Sequence, residues 1–280
     1  MLGCGMRLSF IGAGALLVFP PLASLQAAPA VPAPAGEWML NQDEHSCSIV
    51  TKMAGAGRQT LTIGVGPAQE GAEGSLAGNF PRLAAQFRQI KVDIVLLPTS
   101  FRATALAAVT MDPGNWQDIL QFWDLPEMFV DQFSQSSGLA IEAKGKRRFQ
   151  AQYSNPAKAV SELQACNEML MRRWGLNAVA IAALKRKPKL VPGVALIKPH
   201  DYPATSLQRG EQGTTVVRYI VDRDGRAKNC ILVVSSGFKA IDIQSCKSLL
   251  ARGRFEPALD ALGNTVAAET VSVFKWAIGR

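Results

Sequence analysis

The sequence predicts an α+β protein, with a mixed N-terminal domain followed by a small domain holding a three-stranded antiparallel sheet and one packed helix. Three observations lead there. Short alternating runs bounded by Gly and Pro outnumber helical stretches in the first half. A basic, Pro-rich stretch then divides the chain. Beyond it, Thr215, Val217, Tyr219 and Val221 alternate up to Asp222-Arg223-Asp224-Gly225, and Arg226 to Val234 runs back. Alternation around Asp-Gly is the strongest short-range hairpin signal.

The 280 residues suffice for two domains, and a 48% hydrophobic content fits a folded chain with cores. At the N-terminus Arg7 precedes an apolar run from Leu8 to Phe19, with Ala27, Ala28 and Ala30 offering small residues for cleavage. Residues 1–28 therefore read as a cleaved signal peptide, and the protein as periplasmic. The alternative is an uncleaved helix anchoring it in the inner membrane. The run before Pro20-Pro21 falls short of the ~20 residues a spanning helix needs.

The first domain is expected over residues 36–180. Cys47 to Met53 and Thr60 to Val65 read as strands joined by the Gly55-Ala56-Gly57 turn, and Ile90 to Leu97 alternates as another. Leu139 to Ala143 pairs with Arg147 to Tyr153 across Lys144-Gly145-Lys146. Asn155 suits a helix cap and Pro156 a first helical turn. The stripe Val160, Leu163, Cys166 or Asn167, Leu170 and Trp174 follows until Gly175 stops the helix. Trp116, Phe122, Trp123, Phe129 and Phe133 read as core aromatics.

The net charge of +8 is uneven. Residues 36–180 sum to −1 and residues 199–280 to +3, whereas residues 181–198 carry five basic and no acidic side chains. Residues 181–200 thus read as a basic interdomain linker, solvated or lying on an anionic surface. The basicity is local, which argues against nucleic acid.

In the second domain, residues 201–280, Cys230, Leu232 and Val234 are expected on one strand face. A helix from about Lys239 to Ala251 places Ile243, Cys246 and Leu250 at i, i+3, i+7. A shorter helix is expected near Ala204 to Arg209, and Val266 to Ala277 is the last strand.

Removal of Cys4 with the signal leaves Cys47, Cys166, Cys230 and Cys246. An even count in an exported chain suggests two disulfides, with buried free thiols as the alternative. Packing the helix on the hairpin brings Cys230 to Cys246, and Cys47 and Cys166 pair by elimination.

Catalysis has little support, and neither an enzyme nor a cofactor is expected. His45 lies near Cys47, but a cysteine held in a disulfide cannot attack. His200 reads as a surface residue. No Cys-x-x-Cys or phosphate loop occurs, so neither a metal site nor a nucleotide site is expected. Ser235-Ser236-Gly237 lacks the Gly of a nucleophile elbow and reads as a strand-ending turn.

Read in order, Asp201-Tyr202-Pro203, Gly210, Gly213, Val221-Asp222, Asp224-Gly225, Ser235-Ser236-Gly237, Phe255, Pro257-Ala258 and Gly263 resemble the C-terminal domain of the TonB energy-transducer family. The resemblance implies a domain that binds the plug or an extended peptide of outer-membrane transporters, a role in transmembrane transport. The guest adds a strand beside the domain's last strand. Carried over by position, Thr270, Val271, Ser272, Val273 and Phe274 form the docking strand. The same edge used for homodimerisation, in an envelope protein without a transport role, is the alternative. Family transducers also carry a membrane helix with a His and a Pro/Lys-rich spacer. Leu8 to Phe19 has no His, and Lys187-Pro188 with Lys198-Pro199 resembles the spacer's remnant.

Overall fold

The computed structural model describes residues 36–53, 59–65, 72–78, 89–112, 117–126, 128–191 and 193–278. The expected signal peptide, the Gly55-Ala56-Gly57 turn and Trp116 lie outside the described residues.

The first domain opens with strands β1 (Trp38–Gln42), β2 (Cys47–Lys52), β3 (Thr60–Gly64) and β4 (Ala72–Ala77). Strands β5 (Ile90–Leu97), β6 (Arg102–Asp112) and β7 (Gln117–Leu125) follow, then helix α1 (Phe129–Ser134). A last hairpin, β8 (Gly138–Ala143) and β9 (Lys146–Gln152), turns at Lys144-Gly145. Among the described residues these nine strands form one antiparallel sheet in the order β1-β2-β3-β4-β7-β6-β5-β8-β9. Alternation sends Leu61, Ile63, Leu76, Leu120, Phe122, Ile94 and Ile141 into a single core. Phe129 and Phe133 of α1 are fully buried in it, while Trp123 is only half-buried.

Helix α2 (Ala157–Arg173) starts one residue after Pro156, and the Asn155 side chain accepts from the Ala157 amide at 2.8 Å. Its predicted stripe is buried from Val160 through Trp174. Each such apolar side chain contributes about 1.5–3 kcal/mol. Gly175, at φ +74°, ends the helix in the left-handed region. A short α3 (Ala178–Ala182) follows. The Cys47–Cys166 disulfide ties β2 to α2 across 119 residues of sequence.

The second domain contains α4 (Ala204–Arg209), β11 (Gly213–Val221), β12 (Ala227–Val234), α5 (Lys239–Arg252) and the last strand, β16 (Ala268–Trp276). Its sheet runs β12-β11-β16. The predicted strand from Val266 divides in two. Residues Thr265–Val266 (β15) pair with Ala258–Leu259 (β14) in a small hairpin of their own. At the main hairpin the Asp222 carboxylate accepts from the Asp224 and Arg226 amides, both at 2.9 Å. Lys228 and these bonds hold that carboxyl below the usual range.

The second disulfide, Cys230–Cys246, fastens α5 to β12. The helix face differs from the predicted one. Ile243 and Leu250 are 57% and 44% exposed, and Ile241, Ser245, Ser248 and Leu249 are buried instead. Small serines let α5 approach the sheet closely, a signal that apolar periodicity does not carry. Val234 also leaves the expected face. A bulge between Val216 and Val217 shifts its phase, and it packs against the first domain's core.

Residues 181–200 are bound along the second domain. The Leu259 amide donates to the Arg186 carbonyl at 2.9 Å, and the Lys185 amide to the Leu259 carbonyl at the same distance. Lys189–Leu190 (β10) pairs with Phe255–Glu256 (β13), and the Val191 amide reaches the Arg254 carbonyl at 3.0 Å. Leu196 is buried in the second core, and Arg252 holds both its carbonyl and Asp201. These apolar and backbone bonds displace the extended, solvated form expected of a basic Pro-rich segment.

Candidate docking edge

Strand β11 lies at the centre of the small sheet, flanked by β12 and β16. Its full-length antiparallel register with β16, from Gly213 opposite Trp276 to Val221 opposite Ala268, fixes where each side chain points. Thr270, Ser272, Phe274 and Trp276 share the face of Val217 and Tyr219. Val271 and Val273 share the opposite face with Val216 and Arg218.

The first face is covered by α5 and by the segment around Leu196. Ser245 is its polar hub. The Ser245 hydroxyl donates to the Ile241 carbonyl at 3.0 Å and accepts from Trp276 Nε1 at 2.9 Å. Thr215 Oγ1 lies 2.8 Å from the same oxygen. Nearby, the Tyr219 hydroxyl meets Ser272 Oγ at 2.9 Å, and burial pushes that phenol's pKa up. Tyr202 stands edge-on to Trp276, with ring centroids 5.4 Å apart.

The second face rests on the first domain. Val216 and Val271 are part of that domain's core, and Val233, Val234 and Val273 pack against it. Arg218 fixes the contact by donating to the Gly175 carbonyl. A side chain at Gly175 would meet the Arg218 guanidinium at 2.7 Å, so its lack of Cβ serves the interface as well as the helix end. Lys189 reaches Asp124 of β7 at 3.7 Å as a second polar tie. In the sequence, Arg218 reads as an ordinary solvent-facing position of an alternating strand, and nothing there marks it as an interdomain anchor.

Four of the five residues expected on the docking strand, Thr270, Val271, Ser272 and Phe274, are at least nine-tenths buried. Val273 is half-buried. No described strand pairs with the far side of β16. What the strand presents outward is therefore main chain.

The Ser235-Ser236-Gly237 turn is locked by Asp242. This carboxylate accepts from Ser235 Oγ (2.6 Å), Ser236 Oγ (2.7 Å) and the Ser236 amide (2.8 Å). The turn is structural, as its spacing predicts. His45 sits in a turn before β2, beside Asp43, and Cys47 is committed to its disulfide. His200 is exposed. Among the described residues no group of three metal-ligating side chains occurs, and no helix is long and apolar enough to cross a membrane.

Residues 198–278 match the family described as Gram-negative bacterial TonB protein C-terminal. The second domain is a TonB C-terminal domain. None of the curated proteins matches the chain. The matched segment begins at Lys198, so the strap over residues 185–197 precedes it and the first domain lies wholly outside it. In this TonB domain the Asp-Gly hairpin, the packed helix and the outer β16 stand in the order that the sequence motifs implied.

Proposed function

We propose that this is a periplasmic binding protein that docks extended segments of outer-membrane receptors along β16 by strand addition, in the service of transmembrane transport. The observation that carries this reading is the outer position of β16, with no described strand on its far side, in a domain of the TonB C-terminal family. An added strand gains affinity from main-chain hydrogen bonds, which suits an edge whose side chains are mostly turned inward. The docking strand is centred on Thr270 to Phe274, and the alternate amides and carbonyls of β16 that point away from β11 supply those bonds. The protein is not an enzyme and needs no cofactor in this role.

The second reading is self-association through the same edge. Pull-down from an envelope extract, with hydrogen exchange on the recovered complex, separates the two. Recovery of outer-membrane receptors with slowed exchange over residues 268–276 is the expected result. Recovery of this chain alone, with the same slowing, supports self-association. Partner capture that leaves exchange at 268–276 unchanged removes β16 as the docking strand. N-terminal sequencing of the fractionated protein tests export: a start near Ala28 is expected, and a start at Met1 in the inner membrane overturns it.

A further inference from the structure

The sequence of β16 carries two charges, Glu269 and Lys275. Both lie on the face shared with Val271 and Val273. They are not equivalent. Glu269 lies 3.9 Å from Arg218, the residue that anchors the sheet to Gly175. The Lys275 ammonium has no ion-pair or hydrogen-bond partner among the described residues, and the residue opposite in register is the neutral Thr214. Lys275 is half-buried, and desolvation holds its ammonium below the usual lysine range. A cation taken partly out of water without a counter-charge is stabilised by any carboxylate brought alongside.

Resting on the strand-addition reading above, we propose that Lys275 selects the guest: β16 prefers an extended segment bearing an acidic side chain in register with Lys275 over the same segment with a neutral one. Geometry supports this, because a strand added beside β16 lies about 4.8 Å away and its directly opposite Cβ about 5 Å away. Only one register puts a Glu or Asp against the ammonium, so the lysine sets alignment as well as choice. Residues 199–280 sum to +3, so the domain's net charge favours an acidic guest over a basic one. A lysine on an outer strand can also act merely as a guard against edge-to-edge association, and the test distinguishes the two roles.

The test uses the full exported chain and synthetic nine-residue Thr/Val-rich peptides carrying one Glu at successive positions, each with a Gln counterpart. Affinity and hydrogen exchange over residues 268–276 are measured together. The expected result is protection of β16 by both series, with Glu favoured roughly three- to tenfold over Gln at one position. Lys275→Met abolishes the preference and Lys275→Arg keeps it. Protection of β16 with no Glu preference, or a preference that survives Lys275→Met, overturns the selection role and leaves strand addition standing. If Lys275→Met only increases self-association, the lysine is a guard and the proposal falls. If no peptide binds or protects β16, both readings fall.

Discussion

The Tyr219 hydroxyl meets Ser272 Oγ at 2.9 Å between two strands of the small sheet, so the middle of β16 is bonded inward. That strand is held by β11 across its whole length and by buried hydroxyls beneath it. Tyr219→Phe leaves the Ser272 hydroxyl without this bond. Chemical denaturation is expected to show a loss of about 1–2 kcal/mol, with partner binding unchanged. A binding loss as large as the stability loss would mean that the hydroxyl pair faces the guest.

Glu73 on β4 makes folding depend on pH. Desolvation raises its carboxyl pKa from 4.5 to about 7, and Gly64 is its partner in register on β3. The folded state therefore keeps a proton that the unfolded chain has lost. This contribution is complete below about 4.5 and disappears as pH rises through 7. Glu73→Gln is expected to flatten that part of the stability–pH curve. The variant should gain roughly 2–3 kcal/mol on wild type between pH 4 and 8. Parallel curves for the two proteins would show that the carboxyl is already ionised at neutral pH.

The two disulfides close loops of very different size, 119 and 16 residues apart in sequence. On the chain-entropy model the longer contributes about 5 kcal/mol and the shorter about 3 kcal/mol. Cys47→Ala/Cys166→Ala should therefore lower stability more than Cys230→Ala/Cys246→Ala. Urea unfolding under non-reducing conditions measures both. The reverse order would show that strain or residual structure outweighs loop closure.

Gly225 has φ +73°, and a Cβ there would stand 2.1 Å from the Phe255 carbonyl oxygen. That carbonyl belongs to the strand paired with the basic strap, and the Phe255 amide donates to the Gly225 carbonyl at 2.8 Å. Gly225→Ala combines a disfavoured backbone with a clash against main chain. A loss of at least about 2 kcal/mol is expected. Thermal melting checks it, and a neutral substitution would mean that the turn relaxes away from Phe255.

Local chemistry made much of this architecture readable. The Asp-Gly hairpin, the α2 stripe ending at Gly175, and the pairing of Cys230 with Cys246 each depend on residues close in sequence or on one repeating period. What escaped depends on contacts between distant segments. The strap over residues 185–191 looks polar and Pro-rich, yet its main chain finds partners at Arg254, Phe255 and Leu259. The buried side of α5 is built from Ile241, Ser245, Ser248 and Leu249, where small size matters more than apolarity. The candidate edge was legible in position. Its side chains are turned inward on both faces, because α5 covers the Phe274 side while the first domain closes over Val271 and Val273, and no periodicity announces the second cover.

The bound strap has a mechanical corollary. A module on a loose leash explores a wide volume and can be caught at many angles. Here Arg186 clips the leash to the body that follows, Lys189 ties it to β7 of the body before, and Arg218 bolts the two bodies together. On the strand-addition reading proposed above, a guest on β16 would sit on a module already joined to its neighbour, and a pull on that guest would load the Arg218–Gly175 contact.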